Sequence, residues 1–318
     1  MAFGPVVVCL GEALIDRLGP PGGDPAVDQP VDDRLGGAPA NVACGLARLG
    51  TPVAFAGRLG RDIIGEAFSS LFAERGVDTA LLQKDAVRPS RIVLVRRSRN
   101  GERQFQGFAG DQGDGFADQA LEPADLPKPR WLLIGTLSLA ASTSASALLS
   151  AARQARSQGT AMALDVNWRP TFWDSTADPG EGPSPAAMRA IQPLLEQANL
   201  IKLAREEALW FFNTDDPGAI QQALPQRPDV VVTDGAEPVR WQLGADSGQQ
   251  VAFQPPTVVD TTGAGDAFTA GLLHRWAAAP QERIRFAAAC GALVCGGAGG
   301  IDPQPTQAQV EAFLGEVS

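Results

Sequence analysis

The sequence has no tyrosine, one histidine and few lysines, and these shortages exclude several kinds of chemistry. A Ser-His-Asp or Cys-His triad would have to use His274, which the pattern places in mid-helix without a partner, so we interpret it as a structural residue. An HExxH zinc site needs two histidines, and the only histidine here is followed by Arg-Trp, so neither that site nor the HRD loop of protein kinases exists. Lysine occurs only at Lys84, Lys128 and Lys202, so arginine must make most contacts to anions.

Cysteine pairs and the common nucleotide-binding motifs are also missing. Cys9, Cys44, Cys290 and Cys295 lie in apolar surroundings without a CxxC spacing, which predicts buried, reduced thiols rather than disulfides or a zinc site. The absence of GxxxxGK[ST] excludes a P-loop enzyme. No GxGxxG follows the first predicted strand, which disfavours a dinucleotide-binding dehydrogenase.

Net charge and chain length limit the classes of protein to which this sequence can belong. A net charge of −10 and a pI of about 4.7 argue against nucleic acid or an anionic membrane as a partner. The apolar run Val6–Leu10 is too short for a signal or a membrane span and has no basic residues before it. We therefore expect a cytoplasmic protein whose 318 residues form one α/β domain, 1–318, with an attached lid.

The stretch 257–276, TVVDTTGAGDAFTAGLLHRW, predicts an extended segment, a glycine turn and a helix. Gly263 and Gly265 allow positive φ and a close approach of a ligand. The amides of residues 263–266 would lie at the helix N-terminus without intrahelical acceptors, which makes an anion site. Asp266 is then either an acid that stabilises the first turn or a base beside a bound phosphate.

A second glycine-rich stretch, GGAPANVACGLARLG (36–50), predicts another helix start, with Pro39 in its first turn. Small residues on one face of this helix allow close packing on a sheet. They do not explain Asn41, which either caps backbone groups or binds a hydroxyl.

Apolar strands alternate with helices from residue 130 onward, which predicts a mostly parallel sheet covered on both faces. The segments 91–97 and 103–108 predict a hairpin inserted between α/β units, a natural lid. In such sheets ligands bind outside the carboxyl ends of the strands. The candidate site residues expected at that rim are Asp16, Asn41, Asp165, Asn167, Arg169, Glu207, Gly235 and Asp266. An anion site, a carboxylate and a lid together indicate phosphoryl transfer, which needs positioning and one base.

The two stretches DTTGAGDAFTAGLL (260–273) and GGAPANVACGLARLG (36–50) resemble the two signatures of the ribokinase-like carbohydrate kinases. GEALID (11–16), GRLGRDIIG (57–65), NGERQF (100–105) and DVNWRPTFW (165–173) are most similar to the fructokinase branch. The resemblance covers essentially the whole chain. It implies a three-layer α/β sandwich, with a mostly parallel central sheet flanked by helices and a small β-strand lid from segments about 12–35 and 90–110.

The same resemblance implies roles for individual residues. Asp266 would be the base, and Gly263, Ala264 and Gly265 would form the anion hole. The implied substrate contacts are Asp16, Gly37, Asn41, Arg103, Asn167 and Arg169. The implied ATP contacts are Lys202, Thr233 and Gly235, together with the backbone of Ala264 and Gly265. Glu207 would act on Mg²⁺ through water, and Asp260 with the carbonyl of Thr262 would hold a monovalent cation such as K⁺.

Two departures from the family pattern concern the nucleotide side. Ala204 stands where the family usually has the Asn of Asn-x-x-Glu, and Pro238 stands where it usually has a glycine after Gly235. We therefore expect an ATP-dependent sugar kinase that phosphorylates fructose at its primary 6-hydroxyl. The alternatives are a 2-keto-3-deoxygluconate kinase, another sugar kinase of the family, and a non-catalytic regulatory relative. The lid strands would permit a homodimer.

Overall fold

The structure, a computed structural model, describes residues 4–97, 103–255 and 257–317. The strands in this part of the chain are β1 (Val7–Leu10), β2 (Leu14–Leu18), β3 (Asp32–Gly36), β4 (Val53–Gly60), β5 (Leu82–Asp85), β6 (Ile92–Arg97), β7 (Arg103–Ala109), β8 (Trp131–Ile134), β9 (Ala161–Asp165), β10 (Leu200–Ala204), β11 (Asp229–Asp234), β12 (Glu237–Leu243) and β13 (Asp246–Gln250). The helices are α1 (Ala38–Arg48), α2 (Ile63–Arg75), α3 (Ser142–Gln158), α4 (Pro170–Trp173), α5 (Pro185–Leu195), α6 (Arg205–Phe212), α7 (Pro217–Ala223), α8 (Ala264–His274), α9 (Pro280–Val294) and α10 (Gln307–Glu316).

A large sheet forms the middle layer, with the strand order β13-β12-β11-β10-β9-β8-β1-β4-β5 among the described residues. Its strands from β11 to β5 pair in parallel, and β12 and β13 extend it as an antiparallel pair. Successive residues of β1 enter opposite cores: Val7 and Cys9 pack on one face, Val8 and Leu10 on the other. Because a sheet buried on both faces needs apolar residues at every position, its central strands β1 and β8 are continuous apolar runs. The predicted three-layer α/β sandwich is confirmed.

A second sheet has the order β3-β2-β6-β7 and comes from the two segments that the sequence assigns to a lid. Its β6 and β7 pair antiparallel, as the hairpin pattern predicts, while β2 and β6 pair in parallel and join the two segments. The turn of the hairpin and the side chain of Arg103 lie outside the described residues.

Two predictions about scarce residues can be compared with the structure. All four cysteines are buried and form no disulfide, as expected. His274 ends α8 rather than lying in mid-helix, and its Nδ1 is 2.7 Å from the hydroxyl oxygen of Thr51. Its ring stacks on Phe286, so its role in this fold is structural. In the described part of the chain, no helix has both the length and the apolar character needed to span a membrane.

Helices α1, α8 and α9 approach one another through small residues. A Cβ on Gly45 of α1 would lie 2.9 Å from the Cβ of Ala270 in α8. A Cβ on Gly271 of α8 would lie 2.8 Å from Sγ of Cys290 and 3.0 Å from Cα of Ala287 in α9. The small face of α1 therefore packs against a helix as well as against the sheet for which we predicted it.

We expect Gly271→Ala to lower the free energy of unfolding by about 1–3 kcal/mol, because the added methyl overpacks the α8–α9 contact. Gly315→Ala in α10 is the matched control, since a Cβ there meets nothing within 4 Å. This control should leave stability unchanged or raise it through helix propensity. Urea denaturation of both variants gives the comparison, and equal stability of the two would contradict the packing account.

Candidate active site

A cavity of about 520 Å³ lies between the carboxyl ends of the large sheet and the small sheet. Its lining includes most of the residues that the sequence predicts for the site: Asp16, Gly37, Asn41, Asn167, Arg169, Lys202, Glu207, Thr233, Thr262, Gly263, Ala264, Gly265 and Asp266. Apolar side chains from the small sheet and from α4 complete it, among them Val93, Val95, Phe105 and Phe172. A polar floor and an apolar wall are typical of a small-molecule site.

The N-terminus of α8 forms part of the floor. Gly263 is the N-cap with φ of 77°, and a Cβ on it would lie 2.5 Å from the Cα of Gly300, so the position requires glycine. Gly265 does not take the positive φ that we predicted; a Cβ on it would lie 3.0 Å from Nζ of Lys202, a tight contact that favours glycine. The Ala264 amide donates to the carbonyl of Thr261 across a long 3.3 Å. The first turn of α8 therefore faces the cavity with its backbone and the positive end of its dipole.

Asp266 lies in this first turn, and Nδ2 of Asn41 donates to its Oδ2 at 2.7 Å. Loss of solvation raises the pKa of Asp266 to about 6, and the charge of Asp165 adds to this effect. The hydrogen bond from Asn41 and the charges of Lys202 and Arg169 act in the opposite direction. The result is a carboxylate that is ionised at neutral pH and more basic than an ordinary aspartate, as general-base catalysis requires.

Asn41 has a role that the two predicted alternatives do not describe. Its side-chain amide holds the Asp266 carboxylate, and its backbone carbonyl accepts from Nε2 of Gln304 at 2.7 Å. Its Oδ1 is buried and has no hydrogen-bond partner among the described residues. Asn41 thus fixes one side of the carboxylate and leaves a buried acceptor at the edge of the cavity.

A buried ion pair lies beneath Gly265. Lys202 and Asp165 are register partners on β10 and β9, and Nζ is 3.1 and 3.2 Å from the two carboxylate oxygens. Thr269 of α8 also donates to Asp165 at 3.0 Å. Burial acts to lower the pKa of Lys202, but the charges of Asp165, Glu207 and Asp266 raise it above the ordinary value, so the ammonium stays charged. The sequence predicted no role for Asp165. The available signal for this ion pair was one charged residue in each of the two apolar strands β9 and β10.

Glu207 is held by two backbone amides. Its Oε1 accepts from Trp168 at 2.6 Å and its Oε2 from Ala204 at 2.7 Å. Burial raises its pKa, and the charge of Lys202 opposes this rise. Each carboxylate oxygen keeps a lone pair, so Glu207 fits a Mg²⁺ ion held through water. No cluster of three or more His, Cys, Asp or Glu that could hold a metal exists among the described residues, so phosphate and water would supply the other ligands.

Ala204, which replaces the usual asparagine, is the N-cap of α6 and makes no side-chain capping bond. It lines the cavity, so the departure from the family pattern lies within the site itself.

The other side of the cavity belongs to the small sheet and the residues after β9. Asp16 lies on β2, and a Cβ on Gly36 of β3 would lie 2.9 Å from its Oδ2, so glycine makes room for this carboxylate. Gly37 has φ of 102° and begins α1. Asn167, with φ of 42°, and Arg169, whose Nη1 donates to the Trp168 carbonyl at 2.8 Å, follow β9.

The predicted site residues Gly235 and Asp260 are not among the described residues that line the cavity. Gly235 lies in the turn between β11 and β12 and is not among the lining residues, whereas Thr233 is. Asp260 lies behind the turn that leads into α8, and its Oδ1 accepts from the amide and the hydroxyl of Thr262. The side chain of Arg103 lies outside the described residues.

Glu12 is a lining residue that the sequence did not single out. It is buried, its Oε1 accepts from the amide of Ala38 at 3.2 Å, and burial with the nearby charges of Asp118 and Asp266 raises its pKa to about 8. It is therefore mostly protonated at neutral pH, and it lines the same cavity as Asp16 and Gly37. A glutamate inside the apolar run CLGEALI was the available signal.

Comparisons with known proteins show the family to which the chain belongs. Residues 5–307 match the family described as pfkB family carbohydrate kinase. The probable fructokinase-6, chloroplastic, of Arabidopsis thaliana is 33% identical, over 98% of this chain and 82% of its own length. A crystal structure of fructokinase with bound ATP from Xylella fastidiosa is 30% identical with a TM-score of 0.82, covering 98% of both chains. A doubly substituted fructokinase from Vibrio cholerae O395, with fructose, ADP and potassium ion bound, is 29% identical with a TM-score of 0.80, covering 98% of this chain and 100% of its own. The chain belongs to the pfkB family of carbohydrate kinases, and it is an enzyme of that class.

Proposed function

We propose that this carbohydrate kinase is an ATP-dependent fructokinase that transfers the γ-phosphoryl group to the primary 6-hydroxyl of fructose. The observation that carries the proposal is the Asp266 carboxylate, held by Asn41 at the cavity-facing N-terminus of α8. The relatives named as fructokinases support the choice of sugar.

A residue of this chain can serve each step of the transfer. Asp266 takes the proton of the 6-hydroxyl, and the hydroxyl oxygen then forms a bond to the γ-phosphorus. The bond from that phosphorus to the β–γ bridging oxygen breaks, and ADP leaves with the electron pair. The backbone of Gly263, Ala264 and Gly265 stabilises the charge on the transferring group. Mg²⁺, when bound, neutralises phosphate charge, and Glu207 would hold it through water.

The remaining proposed contacts divide between the two substrates. Asp16, Gly37, Asn41, Asn167 and Arg169, with Arg103 of the lid, hold the sugar. Lys202 and Thr233 lie toward the phosphates, and Gly235 lies further along the nucleotide. Since Lys202 is already paired with Asp165, it acts as a fixed charge below the first turn of α8 rather than as a mobile ligand.

The guanidinium of Arg169 in the cavity favours one second candidate, a sugar acid such as 2-keto-3-deoxygluconate, because arginine pairs well with a carboxylate. The Asp16 carboxylate opposes it, since it would repel a second negative charge in the same cavity. The balance favours a neutral sugar.

A coupled ADP-release assay with ATP, Mg²⁺ and a panel of fructose, 2-keto-3-deoxygluconate, ribose and adenosine tests the choice of substrate. We expect kcat/KM to be highest for fructose, because the cavity combines carboxylate and amide groups with an apolar wall. Preference for the keto acid would keep the mechanism and assign Arg169 to its carboxylate. No turnover of any sugar, with ATP binding intact, would contradict the proposal.

Asp266→Asn should fold and bind ATP but lose about 10²- to 10⁴-fold in kcat, because the amide cannot accept the hydroxyl proton. Glu282→Gln is the matched control: Glu282 is an exposed acid in the first turn of α9 and shares only the effect on the helix dipole. Steady-state kinetics with fructose, and calorimetric titration with ATP, check the pair. Full turnover by Asp266→Asn would show that Asp266 is only a first-turn acid.

The pH dependence follows from the raised pKa of Asp266. The base must be ionised, so kcat/KM should fall roughly tenfold per pH unit as the pH drops below about 6. In Asn41→Ala the falling limb should move to higher pH, because the hydrogen bond from Asn41 lowers this pKa. Circular dichroism at each pH controls for unfolding. A flat profile between about pH 5 and 8 in the native protein would rule out Asp266 as the titrating base.

A further inference from the structure

Asp260 lies behind the start of α8 and joins two loops. Its Oδ1 accepts from the amide of Thr262 at 3.0 Å and from its hydroxyl at 2.7 Å. Its Oδ2 accepts from the amide of Gly299 at 2.8 Å, and only 7% of the residue is exposed. A buried carboxylate of this kind needs a compensating positive charge.

The position of these loops decides the position of the anion hole. Gly263 lies against Gly300, so closely that a Cβ on Gly263 would be 2.5 Å from the Cα of Gly300. Asp260 ties the turn before Gly263 to Gly299, the neighbour of Gly300. The charges around Asp260 therefore affect the position of the backbone that receives the transferring phosphate.

The guanidinium of Arg34, on β3 of the small sheet, supplies a positive charge at this point. Nη1 lies 3.7 Å from Oδ2 of Asp260, while Nε and Nη2 both bond Asp32. The side chain lies over Gly299, where a Cβ would be 3.3 Å from its Cδ. The hydrogen bond to Asp32 and the charges of Asp32, Asp260 and Asp302 raise the pKa of Arg34, so three carboxylates act on one guanidinium.

We propose that Arg34 takes the place of the monovalent cation that the family resemblance implies at Asp260 and Thr262, so that this kinase works without K⁺. The inference rests on the proposed function, for which Arg34 is a positioning residue that acts through Asp260 on the anion hole. Oδ1 of Asp260 already accepts two hydrogen bonds, and a cation on Oδ2, which accepts one, would be repelled by the guanidinium beside it. The site as built therefore does not fit K⁺.

Arginine suits this position better than lysine would. Its planar group directs one edge at Asp32 and leaves the third nitrogen toward Asp260, which a single ammonium cannot do. A bridge of this kind also connects the small sheet to the loop behind α8, because Arg34 belongs to β3 and Asp260 to the turn before the helix.

The test compares the native protein, Arg34→Ala and a control in KCl and in tetramethylammonium chloride of equal ionic strength. Arg17→Ala is the matched control: Arg17 lies on the neighbouring strand β2, has similar exposure and pairs with Asp33 instead. Three quantities are measured: kcat/KM for ATP with the best sugar, the dissociation constant for ATP without sugar, and the melting temperature.

We expect the native protein and Arg17→Ala to give the same values in both salts. In tetramethylammonium, Arg34→Ala should lose roughly tenfold or more in kcat/KM and in ATP affinity, as expected when an anion hole loses its support. Added K⁺ or millimolar guanidinium should restore most of both and raise the melting temperature of this variant alone.

Activation of the native protein by K⁺ would overturn the proposal, and so would native rates for Arg34→Ala in tetramethylammonium. Loss of activity in Arg34→Ala that no cation restores would show a purely structural role and would also overturn it. If Arg34→Ala does not fold, the response of the native protein to K⁺ still decides. If no sugar is phosphorylated, the proposed function fails, while ATP affinity and melting temperature still test the role of Arg34.

Discussion

The start of α8 depends on a contact between two backbones that only glycine permits. Gly263 lies against Gly300, and two residues further on the backbone of Gly265 passes over the ammonium of Lys202. A side chain on Gly263 would push the first turn of α8 away from Gly300, and with it the amides and Asp266. The geometry of this helix start therefore depends on the absence of a Cβ atom at Gly263, and helices α1 and α9 pack on α8 through further small residues such as Gly45 and Gly271.

Around this turn the charges are balanced in a buried network. Asp165 and Lys202 form an ion pair below the helix, and Asn41 holds Asp266 from the side. Because burial raises the pKa of Asp266 and these cationic and amide neighbours lower it, the carboxylate remains ionised at neutral pH and is a stronger base than an exposed aspartate. A kinase needs this compromise, since its protein groups contribute positioning, electrostatics and one proton acceptor rather than covalent chemistry.

The sequence predicted the architecture well, because a sheet buried on both faces requires the continuous apolar runs that are visible in β1 or β8. It also predicted that Gly263 and Asp266 begin a helix at the sheet's rim. It could not predict what depends on three-dimensional neighbours: that Gly265 lies against Lys202, or that Glu12 is buried. Arg34 is likewise an ordinary charged residue in the sequence, and its relation to Asp260 arises only where β3 meets the loop after α9.

The central claim is that this cavity moves a phosphoryl group from ATP to the primary 6-hydroxyl of fructose, next to Asp266. Identification of the product by proton–phosphorus and carbon NMR after complete turnover of fructose tests this claim most directly. The account predicts a single phosphomonoester at carbon 6, formed in equal amount with ADP. A phosphate on any other carbon, or ADP with inorganic phosphate and unchanged fructose, would contradict it.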